Sequence, residues 1–340
     1  MSRKFSKLVT TLVVVILVLG VVGCTSNFEN KGNKDIQSYT ELGSFKPFTF
    51  TYSDGAKDYT VNVNKPAEKA VTLSQFMTEM LLVLGVEDKI VGTALLDNPI
   101  LSEYEEAYNK IPELKVTEGH SISKEAFIAT GADFVSGWDM SISDQTTGSP
   151  DELIEKGIIP FICKSVAGDA TIETVYEDFE MLGKIFGVED KAKEVIDKMK
   201  SDIKEVQDKL KNIKKEERIK MMVYDAGEND AIVVGSGLAN NLIDIAGGNN
   251  IFSNQKDSYV TVSWESIVSE NPQVIIVTDY MAGSKPEEKI SFLKNHPALK
   301  NVDAIKNDRI YVVGLADLSP GVRNAKVIEK MYGYFYGENK

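Results

Sequence analysis

The chain has 340 residues, 43% of them hydrophobic, and sets 51 acidic against 38 basic side chains for a formal net charge of −13. Such a balance repels polynucleotides and anionic lipid head groups, so neither nucleic-acid binding nor electrostatic membrane attachment is expected. Two cysteines and two histidines, in no zinc-ligand spacing, leave no disulfide framework and no metal site to expect.

At the N-terminus, Arg3, Lys4 and Lys7 precede an apolar run over 8–22. That run is shorter than the roughly 20 residues a membrane span requires, and a charged segment followed by a short apolar one reads as a secretory leader over 1–23. Gly23-Cys24 after aliphatic residues resembles the bacterial lipobox, which implies that Cys24 becomes the mature N-terminus and carries lipid on its sulfur; the alternative is an ordinary signal anchor with an incidental cysteine. Residues 24–44 are polar and read as a flexible tether. The remaining cysteine, Cys163, sits in "GIIPFICKS" and reads as a buried, inert thiol.

"FTFTYSDGAKDYTVNV" over 48–63 alternates apolar and polar residues on both sides of Asp54-Gly55, the pattern of a β-hairpin. Short aliphatic runs then alternate with helical periodicity: "AVTLS", "KIVGTAL", "ADFVSGW", "GIIPFIC", "IKMMVYDA", "PQVIIVTD" and "DRIYVVG". Runs of that kind separated by amphipathic helices predict α/β lobes with largely parallel sheets. Between them, 188–215 contains no glycine or proline, and Val195, Met199, Ile203, Val206 and Leu210 recur at three- and four-residue steps. This predicts one long helix joining an N-terminal lobe over 45–187 to a C-terminal lobe over 216–340; the alternative is a long surface helix on a single domain.

The sequence also repeats. "SKEAFIATGADFVS" from Ser123 and "SWESIVSENPQVII" from Ser263 align at an offset of 140 residues. In each, a serine is placed to cap a helix, a glutamate (Glu125, Glu265) falls in its first turn, and Gly131 or Asn271 ends it before a strand. Two lobes of related construction are the expectation.

Enzymatic chemistry finds no support. "GSGLANN" over 235–241 has neither the spacing of a nucleophile elbow nor that of a phosphate-binding loop, and His296 before Pro297 reads as a loop residue. "AVTLSQFMTEMLLVLGVEDKIVGTA", "SKEAFIATGADFVSGW", "GSGLANNLIDIAGGNNIF", "VSWESIVSENPQVIIV" and "IKNDRIYVVGLADLSPGVRN" instead resemble, in order, the signatures of the substrate-binding proteins of bacterial ABC importers for iron–siderophores, haem and cobalamin. The resemblance covers most of the chain after residue 65. It implies two Rossmann-like α/β lobes joined by a single long α-helix, a ligand cleft between the lobes, modest hinge motion, and no catalysed reaction.

It also implies roles for particular residues. Glu125 and Glu265 match the family's acids that meet arginines on the ABC permease, one from each lobe; the competing role is to offset each helix dipole. Trp138, with Asp139 and Met140 beside it, and Tyr259 match positions where relatives hold a ligand, and flat rings bury large area at low entropic cost. His120, on the loop before Ser123, is within reach of such a cleft and is a candidate to bind a metal there, with a merely exposed loop histidine as the alternative. Arg323 is a candidate cation for an anionic iron chelate, with an internal ion pair as the alternative. Asp317 and Leu96 match contacting positions, and Leu96 departs from the aromatic residue of cobalamin binders. Glu79 reads as structural, and Trp264 either faces the permease or covers its own helix.

The expectation is therefore a monomeric, lipid-anchored receptor on the extracytoplasmic face of the cell membrane, without a cofactor, that delivers a ferric siderophore to an ABC permease. Cobalamin or another corrinoid is the alternative ligand, followed by haem. A surface scaffold or adhesion lipoprotein that kept the fold without the cleft is the alternative class.

Overall fold

The computed structural model describes residues 45–53, 57–117 and 122–337. The expected leader, Cys24 and tether lie outside the described residues, and so does His120. Among those described, no helix is long and apolar enough to cross a membrane.

The chain begins with the expected hairpin. Strand β1 (Phe48–Ser53) pairs antiparallel with β2 (Asp58–Val63), Phe48 opposite Val63. Strand β2 buries alternate side chains, Tyr59, Val61 and Val63, as the two-residue period of a half-buried strand dictates. There follow β3 (Ala70–Leu73), α1 (Gln75–Val83), β4 (Ile90–Thr93), α2 (Glu105–Tyr108), α3 (Lys124–Ala129), β5 (Phe134–Gly137), α4 (Pro150–Glu155), β6 (Ile159–Phe161) and α5 (Ile172–Phe186). The strands form a parallel sheet in the order β4-β3-β5-β6. Every residue of β3, β5 and β6 is buried, because helices cover both faces of a parallel sheet.

Helix α6 (Glu189–Leu210) is the long helix of the sequence and buries all five apolar positions of its stripe. At 1.5 Å per residue its 22 residues span about 33 Å. It ends earlier than the expected 215: after Leu210 the chain turns, with the Ile213 amide donating to the Leu210 carbonyl. The helix packs against α5 on one side of the molecule, so closely that a Cβ on Gly183 would lie 2.7 Å from Ala192.

The second half comprises β7 (Ile219–Ala226), β8 (Ala231–Val234), α7 (Gly237–Ile245), β9 (Gly248–Asn250), β10 (Tyr259–Val262), α8 (Trp264–Glu270), β11 (Val274–Asp279), α9 (Pro286–Asn295), α10 (Asp303–Lys306), β12 (Ile310–Gly314), α11 (Leu315–Leu318) and α12 (Arg323–Tyr336). Its parallel strands β9, β7, β11 and β12 neighbour one another as β4, β3, β5 and β6 do. Antiparallel β8 and β10 extend the sheet beyond the other half of β7.

The repeat is real at the level of single hydrogen bonds. Residues 134 and 274, one offset apart, open β5 and β11. Gly131 and Asn271 both adopt left-handed backbone, with φ of 64° and 50°. Asp133 donates its amide to the Lys69 carbonyl and accepts the Lys69 amide on its carboxylate; Gln273 does the same with Lys220 through its side-chain oxygen.

Side chains alternate between clusters as the strands pleat. Ala70, Phe134, Val223 and Ile276 join one apolar cluster that runs through both halves by way of α5, α6, α7 and α12. Val71 and Val135 face a second cluster on the far side of the first sheet, and Met222 and Ile275 a third beyond the second sheet. The two lobes thus have separate outer cores and a shared one along the joining helix.

Candidate functional site

Strand ends are where α/β folds gather their sites, because the loops that leave them are free of the packing that fixes the sheet. Trp138 follows β5 directly, Asp225 lies near the end of β7, and Tyr259 opens β10. Together with Ser165 and Val166 from the first lobe and Leu238 from the second, they line a cavity of about 360 Å³ between the lobes.

Trp138 is half-buried, its ring set edge-on to Phe76 at a centroid distance of 4.9 Å. That contact braces the indole before any ligand arrives, which lowers the ordering cost of binding. Tyr259 is 40% exposed, and its hydroxyl has no hydrogen bond among the described residues. Burial holds this phenol's pKa well above the ordinary value, and the carboxylates of Asp225 and Asp97 and the nearby Tyr280 add to the effect. Burial and the nearby carboxylates both act against ionisation, so the hydroxyl stays protonated. The carboxylate of Asp225 accepts a hydrogen bond from Thr278 Oγ1 at 2.6 Å on one oxygen only.

Arg323 does not face the cavity. Its guanidinium donates to Glu79 through Nε at 2.7 Å and Nη2 at 2.6 Å, to the Pro99 carbonyl at 2.7 Å, and to Asp317 at 3.2 Å. The side chains of Arg323 and Glu79 are only 12% and 3% exposed. Of the two expectations for Arg323, the internal ion pair is the arrangement found, and it consumes Asp317 as well. Glu79 has the structural part expected of it. Asp317 also accepts from the Gly314 amide, closing the turn into α11.

The same region is stitched by Asn98, whose amide side chain donates to the Asp279 carbonyl and accepts the Ala316 amide, both at 2.9 Å. Gln75 accepts from the amides of Asp97 and Asn98. The loop that makes these bonds starts at Leu95, which holds a left-handed φ of 65° that a branched side chain rarely adopts.

Behind the cavity's first-lobe wall, and not lining it, the buried Asp178 accepts from the amides of Lys164 and Ser165 and from the Ser165 hydroxyl. Burial pushes its pKa up to about 6 in spite of those bonds. It thereby shapes the loop that brings Ser165 and Val166 to the cavity. Cys163, next to this network, is buried as expected, and burial raises its thiol well above the ordinary value.

Glu125 and Glu265 are exposed in the first turns of α3 and α8. Ser123 and Ser263 cap these helices, each accepting from the amide three residues on. One turn beyond each acid lies an exposed aliphatic side chain, Ile128 at 54% and Val268 at 38%, again one offset apart. Trp264 is buried, with its ring against Tyr224, Phe292 and His296 and its indole N–H donated to the Glu228 carbonyl. Met140 is exposed and Leu96 half-buried; neither is among the residues lining the cavity. A larger recess of about 540 Å³, bordered by Thr171, Ser236 and Asn240, contains no aromatic side chain.

Sequence reasoning missed Asp225, Asn98 and Asp178. Asp225 carried a usable signal, since it stands at the carboxyl end of the run "IKMMVYDA".

The model of one family, described as periplasmic binding protein, matches residues 71–314, which take in nearly all of both parallel sheets, the joining helix and most of the residues that line the cavity. The chain belongs to the periplasmic binding protein family. Within it, an uncharacterized ABC transporter substrate-binding lipoprotein of Bacillus subtilis, YvrC, is 26% identical over 294 residues, 86% of this chain and 85% of that one. A vitamin B12-binding protein of Vibrio parahaemolyticus is 24% identical over 70% of this chain and 80% of its own. A solved periplasmic binding protein from Veillonella parvula superposes with a TM-score of 0.79 at 28% identity, covering 86% of this chain and 99% of that one. The Veillonella structure therefore shares this chain's fold over both lobes.

Proposed function

We propose that this chain is the lipid-anchored, extracytoplasmic substrate-binding protein of an ABC importer and that it captures a metal chelate, a ferric siderophore, in the cleft between lobes 45–187 and 216–340. The observation that carries the reading is the cavity of about 360 Å³ with a braced indole from one lobe and a reachable phenol from the other. That volume lies at the small end of the ~300–1,000 Å³ usual for small-molecule sites. Binding and release need no bond made or broken, and no catalytic constellation is invoked. Cys24 ties the protein to the membrane, and Glu125 and Glu265, each with its exposed aliphatic neighbour, form two like patches for a permease of two like halves. The Vibrio relative favours a corrinoid as the second reading. Leu96, where cobalamin binders have an aromatic residue, weighs against it.

Titration followed by Trp138 emission tests this. A panel of ferric chelates, haem and cobalamin is expected to include a ligand that quenches the emission and raises the unfolding temperature. If none changes either quantity, the scaffold alternative replaces the receptor.

A further inference from the structure

We propose that the cleft selects a ligand without net negative charge, one that sets a cationic or hydrogen-bond-donating group against Asp225 and Tyr259 and an apolar face against Trp138. This rests on the receptor reading above and narrows its ligand class.

Asp225 is the one charged side chain among the described residues that line the cavity. One of its carboxylate oxygens is met by Thr278, and the other has no partner among the described residues. The Tyr259 hydroxyl, on the same wall, is also unpartnered. A ligand that fills the cavity strips water from both groups. A carboxylate that loses water without gaining a donor is strongly disfavoured, so the ligand has to bring one.

The nearby cations do not reverse this. Arg323 is committed to Glu79, Asp317 and the Pro99 carbonyl. Lys289 is 4% exposed; it donates to the carbonyl and hydroxyl of Thr278 at 2.8 and 3.0 Å, and its ammonium lies 4.6 Å from the centroid of the Tyr280 ring. Burial lowers its pKa, with the charges of Asp225 and Asp279 acting the other way. One buried ammonium thus stands against Asp225 and Asp279, within a chain of net charge −13. The potential in the cleft is negative, and an anionic chelate meets repulsion where a cationic or neutral one finds acceptors.

The test uses three probes on the full chain: a ferric trihydroxamate with a protonated amine tail, neutral cyanocobalamin, and an anionic ferric tris-catecholate. Affinities are read by Trp138 emission and by calorimetry. The expected result is binding of the hydroxamate or of cobalamin at least about tenfold tighter than of the catecholate. In Asp225→Asn that ratio shrinks by about tenfold, since one unit of charge is removed beside the ligand. Rising salt narrows the ratio in the unaltered protein and supplies the same evidence if Asp225→Asn fails to fold. Preferred binding of the catecholate, or a ratio unmoved by both Asp225→Asn and salt, overturns this inference and leaves the receptor reading in place. Binding of none of the three overturns this inference, and the receptor reading falls with it when haem also fails to bind.

Discussion

Arg323 and Glu79 are 244 positions apart in the chain and meet at hydrogen-bond distance in an almost closed site. A pair of this kind is weak evidence for net stability but expensive to break from one side, because the surviving charge stays buried. Arg323→Ala is therefore expected to lower the free energy of unfolding by about 3–5 kcal/mol, measured by chemical denaturation, and to leave ligand affinity within a few-fold. Loss of binding with stability intact would instead assign the arginine to the ligand. The sequence alone leaves this open, because an arginine near the C-terminal lobe's last helix fits a chelate and a carboxylate equally well. Only the approach of Glu79, Asp317 and Pro99 decides it, and that depends on how the loop from Leu95 crosses between the lobes. Asp225 is the converse case: it was overlooked although its position at a strand's carboxyl end marked it.

Helices α3 and α8 carry their capping serine, acid and exposed aliphatic residue in the same order, and this much was readable from the 140-residue offset because caps and first-turn acids are local features. Most strands of the two parallel layers were readable as short aliphatic runs, but β9, Gly248–Asn250, contains no aliphatic residue and was not. Strands β8 and β10 went unnoticed: "AIVV" and "YVTV" are short, and β10 alternates exposed with half-buried residues. Their pairing is set by each other and by β7, not by their own composition. If α3 and α8 are the docking elements, Glu125→Lys with Glu265→Lys is expected to abolish uptake in cells while ligand affinity measured on the purified protein is unchanged. Ile128 and Val268 make part of each patch apolar, so the interaction with the permease is expected to weaken with salt without vanishing. Loss of ligand affinity in the double variant would place both acids elsewhere in the mechanism.

The joining helix does more than connect two lobes, because the apolar cluster along it is continuous from Phe134 in one sheet to Ile276 in the other. Met199, buried near the middle of α6, belongs to that cluster, and α5 and α12 pack on the same helix from the two lobes. Across the cleft side, Asn98 and the Arg323–Glu79 pair add polar contacts that neither lobe satisfies alone. Lobes that shared only a linker would unfold independently, whereas lobes that lose a common core together should not. Scanning calorimetry is accordingly expected to show one transition whose calorimetric and van't Hoff enthalpies agree. Met199→Ala opens a cavity in the shared cluster and should lower stability by about 2–5 kcal/mol, moving that single transition as a whole. Two resolved transitions in the unaltered protein, or a Met199→Ala shift confined to one of them, would show that the helix spaces the lobes without coupling them.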